Sequence, residues 1–202
     1  CLCVVTLGHG RAADDDKDFT PLFNGKDFTG LKLVGVKDDT FKVADGVIVC
    51  TGKPNGYFAT EKPFKNYHLK FEVMYDRPSG LEDDSKFGGN SGCLLHITGD
   101  HKVWPKCVEA QGMNRNHGQI YAVGGSKVSD TTFDKEALLK VRHKVGEWNT
   151  TEIGCPADGS IRVAVNGTKV SAGKSELTEG PIGFQSEGAE IHLRNIKLKE
   201  IK

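Results

Sequence analysis

The chain has 202 residues, and its 27 Lys and Arg side chains equal its 27 Asp and Glu side chains, so the formal net charge is zero. This length suits one large domain that buries its own core without metals or many disulfides. A neutral chain argues against a nucleic-acid partner, because phosphate binding normally needs a basic surface. The sequence also has no uninterrupted apolar run long enough to cross a bilayer.

The first residues differ in character from the rest of the chain. The segment CLCVVTLGHGRAADDD is apolar at first, then rich in small residues and finally acidic. This order is typical of the end of a secretory signal peptide. We therefore expect residues 1–13 to be a signal-peptide remnant and the protein to be secreted or periplasmic. The alternative for the same residues is a disordered tail or a cloning remnant.

Short segments rich in Val, Ile, Phe and Thr follow, separated by turn dipeptides that end in glycine. These dipeptides are Asn24-Gly25, Asp45-Gly46, Asn55-Gly56, Asp158-Gly159 and Asn166-Gly167. Such spacing predicts an all-β fold, an antiparallel sandwich or barrel. Only residues 134–140, with the sequence DKEALLK, favour a helical turn or two.

Individual strands show the alternation expected of half-buried strands. Residues 68–75 alternate apolar and polar side chains, which predicts one buried face. Asn166 and Gly167 both suit positive φ and predict a two-residue hairpin. The final strand alternates and then changes phase near Asn195, which predicts a β-bulge.

Four cysteines lie beyond the first few residues: Cys50, Cys93, Cys107 and Cys155. In an oxidising compartment we expect one disulfide between Cys93 and Cys107, because they flank the connection between two candidate strands. Buried free thiols are the alternative. The spacing contains no CxxC pair, which argues against a structural zinc site.

The stretch GGNSGCLLH, residues 88–96, carries glycines and an Asn-Ser pair directly into a predicted strand. Glycine weakens a strand interior unless the backbone bends or something approaches it closely. We expect Gly89 and Gly92 to let the chain pass beneath a ligand. Asn90 and Ser91 would then offer polar groups at the rim of that site. A bulge on an edge strand is the alternative.

The next predicted strand, CVEAQG at residues 107–112, places Glu109 and Gln111 on one face. An acid and an amide two residues apart direct their hydrogen-bonding groups to one place. Burying them without partners would be unfavourable, so we interpret them as ligand-binding rather than as part of a solvated face. His96 is the best candidate among the histidines, and alternation places it on the same face as Gly92.

Three further side chains are candidates for a sugar site. Glu72 lies on the polar face of its strand and is available as a second carboxylate, which glycoside cleavage usually needs. Trp148 precedes a strand, where it either stacks on a sugar ring or caps the core. Gln185 alternates with the apolar residues of PIGFQSEG.

The histidine spacing matches no metal motif such as HExxH, so no specific metal site is predicted and a divalent metal stays open.

Several segments resemble, in order, the motifs of the DUF1080 family, also called the 3-keto-disaccharide hydrolase domain. They are FTPLFNGKDFTGLK, FKVADGVIVCTG, GGNSGCLLH, VEAQ, GEWNTTEI, VAVNGTKV and GPIGFQSEGAEIHLRNIKLKEI. The similarity begins at Phe19 and covers nearly all of the chain that follows. It implies a single domain over residues 19–202, with a concanavalin A-like jelly-roll sandwich of two antiparallel sheets and a concave face.

The resemblance also implies hydrolysis or elimination at glycosides that carry a 3-keto group. A ketone at C3 acidifies the C2 hydrogen, so the reaction needs a base and a group that stabilises an enolate, either a hydrogen-bond donor or a metal. Glu109 and His96 are the candidate catalytic residues. The expected substrate-binding residues are Asn90, Ser91, Gln111, Arg142, Trp148, Gln185 and Glu72.

Three positions depart from the family pattern, and a second function stays open. Family members commonly carry Arg where His96 stands and Trp where Leu31 stands, and they often carry Asp where Asn114 stands. The alternative function is a non-catalytic carbohydrate-binding module on the same fold. In both cases the expected partner is a carbohydrate of small-molecule size, and the sequence predicts no oligomeric state.

Overall fold

The structure is a computed structural model that describes residues 17–201, so the predicted leader at residues 1–13 lies outside the described part. The first nine strands are β1 (Thr20–Pro21), β2 (Leu31–Val34), β3 (Phe41–Ala44), β4 (Val47–Cys50), β5 (Gly56–Thr60), β6 (Phe64–Lys65), β7 (Tyr67–Tyr75), β8 (Gly92–Thr98) and β9 (Lys106–Gln111). The next eight are β10 (Ile120–Val123), β11 (Val128–Phe133), β12 (Asn149–Cys155), β13 (Ser160–Val165), β14 (Thr168–Ser175), β15 (Glu179–Gly180), β16 (Gly183–Ser186) and β17 (Ile191–Glu200). One helix, α1 (Lys135–Val141), and two 3₁₀ turns (Asp84–Lys86 and Asn114–Asn116) complete these elements.

The strands form two large antiparallel sheets and a short ribbon. The nine-stranded sheet has the order β11-β14-β13-β12-β7-β17-β4-β3, with β1 paired to β17. The six-stranded sheet has the order β10-β9-β8-β16-β5-β2, and β15 pairs with β6. This arrangement confirms the prediction of an all-β fold built from two antiparallel sheets. It also places β8 inside the six-stranded sheet rather than at an edge.

The two sheets bury their apolar faces against each other. Every second residue of β7, from Tyr67 to Tyr75, is buried, as the alternation predicted. From the opposite sheet, Leu95, Val108 and Phe184 belong to the same core cluster. The ring of Phe184 meets that of Phe71 edge-on at 4.9 Å between centroids, which joins the two layers directly. The polar residues that alternate with this core along β7 therefore lie on the outer face of the nine-stranded sheet.

A second, smaller apolar cluster lies on the outer face of the six-stranded sheet. It contains Val34, Tyr57, Ala59, Leu94, Ile97 and Cys107. Residues 99–105 fold towards this cluster: Val103 packs against the backbone of Gly35, and His101 Nδ1 lies 3.3 Å from the Tyr57 hydroxyl. This loop therefore lies over part of the outer face, near the Cys107 end of β9.

The expected disulfide is wrong, because all four described cysteines are free and buried. Cys93 belongs to the core between the sheets, whereas Cys107 belongs to the cluster on the outer face. The two side chains thus point to opposite sides of the same sheet and cannot bond. The alternative of buried free thiols is confirmed.

Several local predictions are confirmed. Asn166 and Gly167 have φ values of 47° and 79° and connect β13 to β14 as a two-residue hairpin. The pairing of β17 with β7 shifts register after Arg194, and Asn195 has a φ of 53°, so the predicted bulge is present. Asp134 caps α1 by accepting a hydrogen bond from Ala137 N at 2.9 Å. Within residues 17–201, no helix combines the length and apolar character that spanning a bilayer requires.

The hairpin gives a test of the fold that depends only on backbone conformation. We expect Gly167→Ala to lower the free energy of unfolding by about 1–2 kcal/mol, because left-handed backbone disfavours a residue with a Cβ by that amount. Denaturant unfolding monitored by circular dichroism measures the change. An added methyl group at Gly167 meets no atom within 4 Å, so packing does not contribute.

Gly88→Ala is the matched control. Its added methyl group also meets nothing within 4 Å, but Gly88 lies outside the positive-φ region. This substitution is expected to be neutral or to stabilise the fold by up to about 1 kcal/mol, through the lower entropy of the unfolded chain. Equal losses of stability in both variants would contradict the turn geometry.

Candidate active site

Glu109 lies on the outer face of the six-stranded sheet, near the middle of β9. Its neighbours Val108 and Ala110 point into the core, so strand alternation directs Glu109 outwards. Antiparallel pairing places it opposite Tyr121 of β10 and opposite Leu94 of β8. A carboxyl group is thus held by a strand with hydrogen-bonded neighbours on both sides, rather than by a loop.

Gly92 leaves the space that the Glu109 side chain occupies. A methyl group added at Gly92 would overlap with Glu109 Oε1 and Gln185 Oε1, which approach from β9 and β16. Any residue with a Cβ would therefore displace one of these side chains. The expectation that something closely approaches this backbone is met by two polar side chains. The alternative of an edge-strand bulge is wrong, because β8 is paired on both sides.

Glu109 is buried in surroundings that disfavour its ionised form. Its side chain is only 7% exposed, and within residues 17–201 no group donates a hydrogen bond to its Oε1 atom. Burial, followed by the negative charge of Glu187, raises the pKa of Glu109 from 4.5 to about 7. Burial also raises the pKa of Glu187. Glu109 can therefore exchange a proton near neutral pH.

Other ionisable groups surround Glu109 on both sides of the sheet. The charge of Glu109 contributes to the raised pKa values of Cys107 on its own strand, and of Cys93 and Tyr75 on the interior side. In each of these three groups burial is the larger cause. Protonation of Glu109 is therefore set by its burial and by Glu187, because the thiols and the phenol stay neutral at the pH values at which Glu109 titrates.

The amide side chains predicted for the site lie around Glu109. Gln185 is 2% exposed, and its Oε1 atom accepts no hydrogen bond from the described residues. Asn90, two residues before Gly92, forms backbone bridges with Glu187 and Gly188, and its buried Oδ1 atom is likewise unpartnered in that part of the chain.

Gln111 and Ser91 use their polar atoms within the fold. Gln111 pairs with Gly92 across the strands, and its Oε1 atom accepts a hydrogen bond from Met113 N at 2.7 Å. The Ser91 hydroxyl donates to the backbone carbonyl of Gln185 at 2.9 Å and is buried. Ser91 thus fixes the β8–β16 junction, and its hydroxyl hydrogen is not available at the rim of a site.

The expectation that His96 lies on the same face as Gly92 is wrong. His96 has a φ of 55°, and the β8–β9 register shifts between Leu95 and Thr98, so β8 contains a bulge there. The imidazole ring turns into the interior, where it meets Tyr67 edge-on at 5.5 Å. Its Nδ1 atom donates to the Leu177 carbonyl at 2.9 Å, and burial lowers its pKa. His96 is thus a buried residue of the core.

Glu72 and Trp148 belong to the opposite side of the molecule. Glu72 lies on the outer face of the nine-stranded sheet, where it accepts a hydrogen bond from Arg194 Nε at 2.6 Å. The Arg194 guanidinium lies 4.0 Å from the centre of the Trp148 ring. Glu72 and Trp148 therefore do not lie beside Glu109, because β7 and β12 belong to the other sheet.

Arg142 lies at the end of the sandwich rather than over the outer face. It ends α1 and donates to the Asn114 carbonyl at 2.7 Å. Its charge acts on Asp84 and His117, and the pKa of Glu109 reflects burial and Glu187 instead. The structure therefore gives Arg142 a role in holding the loop after β9.

Sequence reasoning missed two residues of this site. Glu187 lies two residues after Gln185, and the alternation in PIGFQSEG indicates that both side chains are on the same face. Tyr121 lies directly across from Glu109 and is 36% exposed, one of four large apolar side chains among the described residues that are exposed to at least this extent. Its place beside the acid could be found only from the pairing of β9 with β10.

The histidines do not assemble a metal site. Within residues 17–201, no group of three or more His, Cys, Asp or Glu side chains is arranged to hold a metal ion. His117 Nε2 lies 2.7 Å from the Thr151 hydroxyl, and His143 Nδ1 donates to the Trp148 carbonyl at 2.7 Å. His101 contacts Tyr57, as described above.

Solved structures with the same fold include proteins with several functions. A "putative glycosyl hydrolase" from Parabacteroides distasonis ATCC 8503 is 24% identical, with a TM-score of 0.66 over 93% of this chain and 96% of that chain. The carbohydrate-binding module CBM66 from Bacillus subtilis is 10% identical, with a TM-score of 0.59 over 85% and 96% of the two chains. The β-glucanase of Bacillus licheniformis is 10% identical, with a TM-score of 0.55 over 91% and 97%.

These similarities confirm the concanavalin A-like jelly-roll architecture. No curated protein sequence matches the chain significantly. Residues 18–199 match the profile of the 3-keto-alpha-glucoside-1,2-lyase-like domain, which confirms the resemblance drawn from the sequence motifs. The chain therefore belongs to the 3-keto-alpha-glucoside-1,2-lyase-like domain family.

Proposed function

We propose that this protein is a lyase or hydrolase of 3-keto-glycosides and that Glu109 is its catalytic base. The observation that carries the proposal is the buried Glu109 carboxyl group, which has an unpartnered oxygen and a pKa of about 7. A general base works best when its pKa lies near the operating pH. The family to which the chain belongs is described by 1,2-lyase chemistry on 3-keto-alpha-glucosides, which supports the same reaction.

The proposed reaction is a β-elimination across C1 and C2 of the sugar. The C3 ketone acidifies the hydrogen on C2, and the Glu109 carboxylate accepts this proton. The electron pair of the C2–H bond forms the C1=C2 double bond, while the C1–O bond breaks and its electrons leave with the aglycone oxygen. Addition of water to the resulting enone would convert the elimination into a net hydrolysis. The base must be ionised for the first step.

Tyr121 is the proposed platform for the sugar ring. It lies directly across from Glu109 and exposes its ring on the same face. Side chains directly opposite each other in an antiparallel pair have Cβ atoms about 5 Å apart. A sugar whose apolar face packs on this aromatic ring would thus bring its C–H bonds beside the carboxylate.

A binding function without catalysis is the second candidate. The observation that favours it is the pair of unpartnered amide oxygens, on Gln185 and Asn90, which suit sugar hydroxyl groups. The two functions differ in what Glu109 does, because a binding module needs no titrating base. Aglycone release from 3-keto-glucosides and from plain glucosides, measured with and without a chelator, separates them.

The first prediction from the proposed function concerns Glu109→Gln. We expect this substitution to reduce aglycone release from a 4-nitrophenyl 3-keto-glucoside by about 100-fold or more, because the amide cannot accept the proton. The variant should fold, since it replaces a buried acid whose ionised form is disfavoured. At pH 8 its thermal melting temperature should equal or exceed that of the parent protein.

Glu152→Gln is the matched control, because Glu152 lies on the nine-stranded sheet and pairs with His68 at 3.5 Å. It should leave release unchanged. If Glu109→Gln is folded and releases aglycone at the parent rate, Glu109 has no part in the reaction. If the parent protein binds the keto-glucoside without release, the binding module is the correct function.

A second prediction concerns pH. Since Glu109 acts as a base, kcat/KM should fall about tenfold for each pH unit below about 7 and level off above it. Glu187→Gln should move the midpoint of this curve to lower pH, because the charge of Glu187 raises the pKa of Glu109. A profile with no acid limb near 7, or one that Glu187→Gln does not shift, would contradict the assignment.

A third prediction concerns Tyr121. Tyr121→Ala should raise KM about 2- to 10-fold with little change in kcat, because the stacking surface is lost while the base remains. Tyr121→Phe should retain the parent KM, since the ring is kept. Leu139→Ala, which removes an exposed apolar side chain on α1, is the control for general surface effects. An unchanged KM in Tyr121→Ala would remove Tyr121 from the site.

A further inference from the structure

Buried oxygen acceptors without donors gather around Gly92. Glu109 Oε1 and Gln185 Oε1 both lie over the backbone of Gly92, where an added methyl group would overlap with each of them. Both side chains are more than nine-tenths buried, and neither oxygen accepts a hydrogen bond from the described residues. Two acceptors that face one point without a donor between them are unfavourable, so the arrangement calls for a positive partner.

Two more oxygen groups belong to segments next to this point. Asn90 Oδ1 is buried and unpartnered within the described part of the chain. Ser91 turns inwards, so alternation in this extended segment directs Asn90 to the outer face with Gly92. Glu187 bridges to Asn90 through the backbone, and its charge is felt at Glu109. The set thus consists of two carboxyl groups and two amide oxygens.

Among residues 17–201, no positive side chain contributes to the pKa shift of Glu109 or of Glu187. The causes that set the pKa of Glu109 are its burial and Glu187, and the pKa of Glu187 is raised by burial. A single proton on Glu109 would make one hydrogen bond and leave the other oxygen atoms without a donor. Turning the Gln185 amide so that Nε2 faces Glu109 would also satisfy only one. A cation satisfies all of these oxygens together.

We propose that, in the absence of a glycoside, Glu109, Gln185, Asn90 and Glu187 form a calcium-binding site over Gly92, which a substrate must vacate before Glu109 can act as a base. Carboxylate and amide carbonyl oxygens are the ligands that Ca²⁺ prefers, and it accepts irregular sets of six to eight of them, completed by water. Mg²⁺ requires near-ideal octahedral geometry and suits such a set less well. The site contains only two acidic side chains, which agrees with the lack of a three-residue His, Cys, Asp or Glu cluster in residues 17–201.

Titration of chelator-treated protein with CaCl₂ at pH 8, followed by calorimetry without any glycoside, tests the proposal. We expect one saturable site with a dissociation constant below about 1 mM and at least about tenfold weaker binding of Mg²⁺. Because the assay contains no substrate, its result is independent of whether the protein turns over a 3-keto-glycoside.

Substitution of the ligands gives the decisive comparison. Gln185→Met keeps the side-chain volume and removes the oxygen, and Asn90→Ala removes a partly exposed ligand, so both should weaken Ca²⁺ binding at least about tenfold. Glu109→Gln should weaken it similarly. Glu152→Gln on the other sheet should bind as the parent does. Thermal melting of each variant without Ca²⁺ identifies any variant that fails to fold. If Gln185→Met does not fold, the comparison is made with Asn90→Ala.

Two results would contradict a calcium site at these residues. No saturable Ca²⁺ binding below about 1 mM at pH 8 would overturn the proposal. So would parent-like affinity in folded Gln185→Met, Asn90→Ala and Glu109→Gln, because the oxygens would then not be ligands.

Discussion

The approach of two polar side chains to the bare backbone of Gly92 is the constraint on which the site depends. Glu109 reaches this point from β9 and Gln185 from β16, and together they fill the volume that a side chain would take. Burial there raises the pKa of Glu109 from 4.5 to about 7, which corresponds to about 3 kcal/mol against ionisation. The proposed chemistry thus rests on a carboxyl group whose ionised form is disfavoured.

The sandwich makes this arrangement rigid. The contact between Phe71 and Phe184 fixes β16 against the opposite sheet, and the Ser91 hydroxyl ties β8 to the β16 backbone. Glu109 therefore stands on a strand whose pairing with β10 and β8 on its two sides sets the orientation of the side chain. Sites supported in this way hold their geometry better than sites on loops.

A comparison of two bulges shows where sequence reasoning worked and where it did not. The bulge at Asn195 was visible because one face of β17 is exposed, so a slip in phase changed the apolar pattern. The bulge at His96 left no such trace, because residues 92–97 are buried on both faces. The loop formed by residues 99–105 covers part of the outer side. A strand that is buried on both faces shows no alternation of apolar and polar residues, so the sequence does not indicate which residues share a face. His96 was therefore placed on the wrong face.

The sequence by itself determined the strand periods, the Asn166-Gly167 turn, the family motifs and the shared direction of Glu109 and Gln111, because these depend on local conformation and side-chain spacing. Tertiary structure decided which strands are neighbours. Glu72 lies on the opposite sheet. Gln185 and Glu187 lie near Glu109, although each is more than seventy residues from Glu109 in the chain. Pairing between distant strands depends on how whole faces bury each other, and no local pattern encodes it.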